Sequence, residues 1–387
     1  MKFEFHNPTR VVFGAGVLGR MGVEAARLGG HALVVIGGGS VRVGGVLDKA
    51  LGSLEAAGVA HTLFEGVEPN PRLTTVIRGG AAAVDCKADV VIALGGGSVM
   101  DASKVIASLP FYQGDPWDMM MHKGPSQRVP ETALPIITVP TLAATGSEMN
   151  AGAVITNSEL TEKSYVSAPC LYPATAIVDP LLTVSVPPDQ TAYGVVDLIT
   201  HVTESYFNGV GATPIQDRMA EAVVLTALEY GPKAVSNGKD VKAREQVQWA
   251  SIVALNGWVQ AGSGALGFPV HQIEHVLSAH TDMAHGAGLA ILSPAWMRFA
   301  ATRRPEKFEQ FARRVFDADE AMDGIGRLEE FFRSLGCPTR LTEVEVGRDS
   351  FQRFAEDSVR VGGDGARVHG RPPLGIEDII EILRLAA

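Results

Sequence analysis

Six short runs of aliphatic and β-branched residues punctuate the first half of this 387-residue chain: Val11–Phe13, Ala32–Ile36, Thr62–Phe64, Val90–Leu94, Ile136–Val139 and Ala176–Val178. Each run is apolar almost throughout. A strand with one wet face would alternate, so these runs predict strands covered on both faces, as in a parallel sheet layered with helices. Val43–Ala57, Leu73–Asp85 and Val99–Ala107 carry the helical spacing expected of the connections. At Pro187-Pro188 the rhythm stops. Longer helical patterns follow, such as Arg218–Tyr230, Ala243–Val259 and Lys307–Val315, and strand-like runs nearly vanish. The expected organisation is an α/β domain over residues 1–186 and an all-helical domain over residues 187–387, with no internal repeat.

Bulk properties narrow the partners. The formal charge of −10 argues against nucleic acid, which needs a basic face. No apolar run approaches the roughly 20 residues that span a bilayer. The start, MKFEFHNPTR, lacks the apolar centre of a signal peptide. Cys86, Cys170 and Cys337 are few and widely spaced, and read as reduced thiols of a cytoplasmic protein.

Three glycine clusters look able to hold a phosphate. Gly14-Ala-Gly16-Val-Leu-Gly19 has the spelling of the dinucleotide fingerprint, but it follows only a short run near a polar N-terminus. No acid stands about 20 residues further on, where such a site places one. It reads as a turn. The loop Gly95-Gly-Gly-Ser98 is the strongest. It leaves the buried run Val90–Leu94 and opens a helix, whose N-terminus offers N–H groups and a positive dipole. Asp101 and Lys104 add polar groups in the first turns. The loop Gly37-Gly38-Gly39-Ser40 follows the second strand, which in a doubly wound sheet lies by the adenosine ribose. An acid there selects NAD, whereas small residues with a nearby cation admit the 2′-phosphate of NADP. No acid is present, and Arg42 supplies a cation.

Five of the ten histidines fall between 201 and 285. Asp197 and His201 are four apart, as are His271 and His275, so each pair shares a helix face. His280 and His285 follow. Imidazoles with one carboxylate suit Zn²⁺ or Fe²⁺. On one continuous helix His285 would lie about 21 Å from His271, at about 1.5 Å per residue. A shared ion therefore requires the chain to turn back, and Thr281-Asp282 is the expected break. A rival reading is His271-Gln-Ile-Glu274-His275 as the H-x-x-E-H of a zinc peptidase, in which the glutamate activates water. That reading leaves the glycine loop and the Asp197/His201 pair without a purpose.

Taken in order, NPTRVVFGAG, GGGSVMDASK, VPTLAATGSEMN at 139–150, AIVDP at 176–180, GVVDLITHVTESYF at 194–207 and HQIEHVLSAHTDMAHGAGLAI at 271–291 resemble the iron-containing, group III alcohol dehydrogenase family. The similarity runs over nearly the whole chain and is strongest to the butanol dehydrogenase or broad aldehyde reductase branch. It implies a Rossmann-like α/β domain and a helical domain, the dehydroquinate synthase-like fold, with the active site in the cleft. It also implies that the pyrophosphate sits on Gly95, Gly96, Gly97 and Ser98, with Asp101 on the nicotinamide side. Gly37, Gly38, Gly39 and Ser40 would face the adenosine end. Thr138, Thr141 and Leu142 would line the nicotinamide, with Lys163 and Val178 nearby. The implied metal ligands are Asp197, His201, His271 and His285. His275 would be the catalytic proton relay, or a support behind the ligands, rather than a ligand itself. One departure stands out: the branch usually has Asp-Trp shortly before its first H-x-x-x-H histidine, near the substrate, and this chain has Gly267-Phe268.

The activity so implied is hydride transfer between NAD(P)H and an aldehyde, with its primary alcohol as the reverse substrate. A divalent metal, Fe²⁺ by resemblance and Zn²⁺ by ligand chemistry, would polarise the carbonyl. The open loop at Gly38 favours NADP(H) over NAD(H). Relatives of this branch are mostly homodimers. The alternatives within the fold are a glycerol dehydrogenase-like polyol dehydrogenase or a dehydroquinate synthase-like lyase. The lyase would need Lys and Arg crowded around its histidines, and the sequence shows none there.

Overall fold

The computed structural model describes residues 2–264 and 266–387. Contacts divide the chain into two compact units. One comprises residues 6–186 with 238–248; the other comprises residues 187–237 and 249–387 with the N-terminal stretch up to Phe5.

The first unit is built on β1 (Arg10–Phe13), β2 (His31–Ile36), β3 (Ala60–Phe64), β4 (Val90–Gly95), β5 (Ile136–Pro140) and β8 (Thr175–Val178). Every pairing in this sheet is parallel, in the order β1-β8-β5-β4-β2-β3. The unbroken apolar character of the runs has a direct cause. In β4, Val91 and Ala93 enter one core, with α4 (Leu73–Asp85) and α5 (Gly97–Ser108). Val90, Ile92 and Leu94 enter the other, with α1 (Met21–Ala26) and α3 (Val46–Ala56). Both faces are dry, so neither tolerates polar residues. The expected helix over 43–57 is divided: a single helical turn, α2 (Ser40–Val43), precedes α3, because Gly45 takes a left-handed backbone at φ 65°. The antiparallel hairpin of β6 (Gly152–Asn157) and β7 (Glu162–Ser167) was not anticipated by the sequence.

The strand order places the glycine loops. The chain passes from β2 to β3, then crosses to β4 on the other side of β2. The carboxyl ends of β2 and β4 therefore flank a topological switch point, where open α/β sheets bind ligands. Gly37–Ser40 and Gly95–Ser98 follow those two strands.

Beneath the second loop lies a buried lysine. Lys104 is fully buried on α5, and its Nζ donates to Ser147 Oγ (2.7 Å), Asn150 Oδ1 (2.9 Å) and the Gly152 carbonyl (2.7 Å). All three protons are used, which is the condition for burying an ammonium group. Burial still lowers its pKa to about 8, against the pull of Asp101 and Glu148. Glu148 is buried beside it, and burial raises its carboxyl to about 7 although Lys104 opposes this. The folded chain thus binds the Glu148 proton more tightly than the unfolded one. The associated stability is complete below about pH 4.5 and is lost as pH rises through about 7. A shift of that size corresponds to about 3 kcal/mol. Glu148→Gln has no such proton to release. Calorimetric unfolding of both proteins from pH 4.5 to 8 should show the variant gaining on the wild type as pH rises; a gap independent of pH would contradict this.

The second unit is helical: α6 (Pro188–Asn208), α7 (Pro214–Ser236), α9 (Pro269–Thr281), α10 (His285–Ala301), α11 (Pro305–Phe316), α12 (Ala321–Ser334), α13 (Phe351–Val361) and α14 (Ile376–Leu385), with α8 (Val241–Ala254) running in from the first unit's segment. The pattern over 243–259 overran this last helix, which ends before Asn256-Gly257, where Gly257 takes φ 96°. Helix α6 is buried along almost its whole length from Thr191 to Asn208. Close approach of α10 depends on glycine. A Cβ at Gly286 would lie 2.5 Å from the Tyr193 carbonyl of α6, and one at Gly288 would lie 2.8 Å from Glu274 Cγ of α9. Among the described residues no helix is long and apolar enough to cross a membrane.

Candidate functional site

Three helices bring four side chains together. Asp197 and His201 sit one turn apart on α6; His271 lies in the first turn of α9, and His285 opens α10. The chain turns back between the last two, as the spacing required: α9 ends at Thr281, Asp282 takes a left-handed backbone at φ 56°, and α10 starts at His285. The rings of His271 and His285 are 5.3 Å apart between centroids.

Asp197 Oδ1 is the hub. It lies 3.4 Å from His201 Nδ1, 3.4 Å from His271 Nε2 and 3.8 Å from His285 Nε2. Ligand atoms around a tetrahedral ion with bonds of ~2.0–2.2 Å stand about 3.3–3.6 Å apart. The two distances of 3.4 Å match that spacing, and the third, to His285, is slightly longer. Moreover, His201 Nδ1 is buried without a hydrogen-bond partner among the described residues, which a metal bond would satisfy. The donor set thus fits a divalent metal of the Zn²⁺ or Fe²⁺ type.

The buried charges of this site shift one another strongly. Burial opposes the charge of Asp197, but His201, His271 and His285 hold its carboxyl well below the usual carboxylate range. Burial pushes His201 down to about 3, outweighing Asp197. His271 goes the other way: burial opposes its imidazolium, yet the carboxylates of Glu204 and Asp197 raise it to about 10.

Two buried glutamates complete the surroundings. Glu204 accepts from the backbone N–H groups of Val270 (2.6 Å) and His271 (3.4 Å) and is bonded to His271 Nδ1. Glu274 is bonded to His285 Nδ1 and accepts from Ser278 Oγ. In a zinc peptidase the glutamate of H-x-x-E-H would face water; here Glu274 is fully buried and engaged. Glu274, His275 and His285 also form a second group of three possible ligands, besides Asp197, His201 and His271. His275 is buried one turn beyond His271, with ring centroids 6.4 Å apart, and is 5.7 Å from His285. His280 is turned elsewhere, to Asp357 at 2.9 Å. The departure at Gly267 has a steric cause: a Cβ there would lie 2.0 Å from the His369 carbonyl, so this backbone admits no side chain. Phe268 meets His271 edge-on at 5.8 Å.

Gly37–Ser40, Gly95–Ser98, Thr141, Leu142 and Val178 lie at or just beyond the carboxyl ends of strands of the first unit, Thr138 lies within β5, Asp101 on α5 and Lys163 on β7. Gly95 and Gly97 are buried, whereas Gly96 and Ser98 reach the surface. A Cβ at Gly95 would strike Val99 and one at Gly97 would strike Thr145, so these two glycines answer to packing around the loop. Thr138 lies inside β5, and Leu142 follows it, 3.5 Å from where a Gly96 Cβ would stand. Thr141 donates its N–H to the Gly95 carbonyl at 3.0 Å. Val178 ends β8. Asp101 is engaged within the protein, by Ser147 Oγ (2.6 Å) and the Val154 N–H (2.9 Å). Lys163 on β7 donates to Asn70 Oδ1 at 3.0 Å. Gly37 packs against the Val67 carbonyl, Gly39 needs its φ of 111°, and a Cβ at Gly38 would meet nothing within 4 Å. Arg42 is ion-paired with Glu65. The fingerprint-like Gly14–Gly19 has its donors occupied: Asp179 accepts from Gly16 N (3.0 Å) and Leu18 N (3.1 Å).

Residues 8–180 match the family described as iron-containing alcohol dehydrogenase, and residues 191–386 match the C-terminal domain of the Fe-containing alcohol dehydrogenase family. The chain belongs to the iron-containing alcohol dehydrogenase family. It is accordingly an oxidoreductase, an NAD(P)-linked alcohol dehydrogenase or aldehyde reductase. It is 40% identical to the probable NADH-dependent butanol dehydrogenase 1 of Bacillus subtilis, over 99% of this chain and 98% of that protein. It is 37% identical to the NADPH-dependent aldehyde reductase YqhD of Escherichia coli, over 90% of each. The crystal structure of NADH-dependent butanol dehydrogenase A from Thermotoga maritima superposes with a TM-score of 0.93 at 36% identity, covering 100% of this chain and 98% of that one.

If Asp197, His201, His271 and His285 hold one ion, His271→Ala and His285→Ala should each lose it while keeping the far-ultraviolet circular dichroism of the parent. Elemental analysis of the purified variants measures the loss. kcat/KM should fall by on the order of 10²-fold or more. Metal content equal to the wild type in either variant would remove that residue from the set.

Proposed function

We propose that this dehydrogenase works mainly as an NADPH-dependent reductase of small aldehydes, with Fe²⁺ held by Asp197, His201, His271 and His285. The observation that carries this reading is the ring of three imidazole nitrogens at 3.4, 3.4 and 3.8 Å around Asp197 Oδ1. Zn²⁺ suits the same donors. In this reading the α/β half, residues 1–186, supplies the cofactor site, the helical half, residues 187–387, supplies the metal, and the enzyme is a cytoplasmic homodimer.

A bound divalent ion supplies Lewis acidity toward the carbonyl oxygen, and a reduced nicotinamide supplies the hydride. The chain's own residues do the rest. Asp197 and the three histidines fix the place of the ion. His275 exchanges the proton of the alcohol through its imidazole, which suits the neutral range. Thr138, Thr141, Leu142, Lys163 and Val178 confine the nicotinamide end, and Asp101 beside it is held by the Ser147 hydroxyl and the Val154 N–H of β6. Gly96 and Ser98 present the N-terminus of α5 to the pyrophosphate.

Cofactor choice follows from the second glycine loop. Exposed space at Gly38, the hydroxyl of Ser40 and the guanidinium of Arg42 suit a 2′-phosphate. Arg42 and Glu65 are each about half exposed, at 49% and 46%, so the phosphate competes with Glu65 for the guanidinium in water. Because nothing lies within 4 Å of a Cβ at Gly38, Gly38→Asp tests the loop without disturbing the fold. It should raise KM for NADPH sharply and leave that for NADH nearly unchanged. Equal kcat/KM for the two cofactors in the wild type, or no change of their ratio in the variant, would contradict the reading.

His275→Ala should lower kcat by on the order of 10²–10⁴-fold and flatten its pH profile, with the metal retained. Loss of metal as complete as in His271→Ala would make His275 a ligand instead.

A further inference from the structure

The sequence His-x-x-Glu occurs twice in the helical unit, as His201-Val-Thr-Glu204 on α6 and His271-Gln-Ile-Glu274 on α9. Three residues apart on a helix, histidine and glutamate lean to the same side. Glu204 reaches from α6 to His271 Nδ1 on α9, and Glu274 reaches from α9 to His285 Nδ1 on α10. Each glutamate is bonded to a histidine on another helix.

We propose that Glu204 and Glu274 are positioning residues that set the tautomer and the metal affinity of His271 and His285, an inference that rests on the metal-site reading above. A buried carboxylate is an acceptor only, so the Nδ1 it faces carries the proton. With an ion bound, the lone pair left for it is that of Nε2, and both Nε2 atoms face Asp197 Oδ1, at 3.4 and 3.8 Å. A carboxylate behind an imidazole also makes the outer nitrogen more basic and fixes the plane of the ring.

The surrounding structure is shaped for these contacts. Glu204 is fully buried and also accepts from the N–H groups of Val270 and His271. These are among the free donors of the first turn of α9, which begins at Pro269 and has no capping side chain of its own. One carboxylate therefore fixes the helix start and the ring it carries. Glu274 is fully buried and tied to Ser278 one turn on. Space for it comes from Gly288 of α10, where a Cβ would lie 2.8 Å from Glu274 Cγ and 3.1 Å from Oε1. In this way Glu274 joins α9 to α10 across the turn at Asp282. His201 is turned the other way: the atom it presents to Asp197 Oδ1 is Nδ1, at 3.4 Å.

The test compares wild type, Glu204→Gln and Glu274→Gln for Zn²⁺ affinity, by competition with a chelator, and for melting temperature with and without the ion. A glutamine keeps the volume and an acceptor oxygen but removes the charge. The dissociation constant for Zn²⁺ should rise by on the order of 10–100-fold in each variant. The rise in melting temperature on loading should shrink with it. A merely structural role would lower the melting temperature of the metal-free and loaded forms equally and leave affinity unchanged; that result overturns the inference. Long-range proton–nitrogen NMR of the Zn²⁺-loaded wild type supplies an answer even if a variant fails to fold. Protons on Nδ1 of His271 and His285 support the inference, and protons on Nε2 overturn it. A wild type that binds no divalent ion at all would instead overturn the metal-site reading.

Discussion

The helical unit is arranged around one buried carboxylate. Asp197 is 2% exposed, in the middle of a helix that is itself buried. An isolated carboxylate in such surroundings costs far more than a domain's net stability, so it must be surrounded by compensating groups. Three imidazoles provide them, and each comes from a different point of the chain. His201 follows from helix periodicity alone. His271 and His285 require α9 and α10 to converge on α6, which in turn requires the left-handed turn at Asp282 and the missing side chains at Gly286 and Gly288. What reads in sequence as a glycine-rich stretch after a histidine is thus the condition for these helices to approach closely enough to bring the three rings to one carboxylate.

The same rule governs the other unit, with the signs reversed. Lys104 is a buried cation whose three protons are satisfied by Ser147, Asn150 and Gly152. It pins the segment after β5 beneath the Gly95 loop. The glycines of that loop answer two demands at once. Gly95 and Gly97 are needed because Val99 and Thr145 occupy the space of a side chain, and Gly96 with Ser98 remains at the surface. A glycine cluster is therefore no proof of a phosphate site. The Gly14–Gly19 cluster makes the point, since the Asp179 carboxylate takes two of its N–H groups.

Much of this was legible in the sequence, for physical reasons. All six strands of the parallel sheet were visible; in the four inner ones burial on both faces forces nearly continuous apolar runs, and the half-buried edge strands β1 and β3 gave shorter ones. The β6–β7 hairpin was not: Glu162, Lys163 and Ser164 are polar yet buried, and their partners come from elsewhere in the fold. The split of α2 from α3 was also missed, because the left-handed turn at Gly45 that divides them interrupts a pattern that otherwise reads as helical. At the metal site, the spacing of Asp197 and His201 and the need for a break near residue 282 followed from helix geometry. The work of Glu204 and Glu274 did not, because each acts on a different helix from its own. The repeated His-x-x-Glu was the available signal, and only the contacts between helices give it meaning. Arg42 is the other case in which position and partner diverge: it lies beside the Gly38 loop as expected, but pairs with Glu65.

The central claim is that one ion is held at Asp197, and the structure offers a clear competitor in the neighbouring group of Glu274, His275 and His285. Anomalous diffraction from crystals of the Co²⁺-loaded protein, collected on either side of the cobalt edge, separates the two. The account predicts a single peak at bonding distance from Asp197, His201, His271 and His285, with Glu274 still on His285 Nδ1. A peak bonded to Glu274 and His275, with Asp197 left outside its shell, would contradict it.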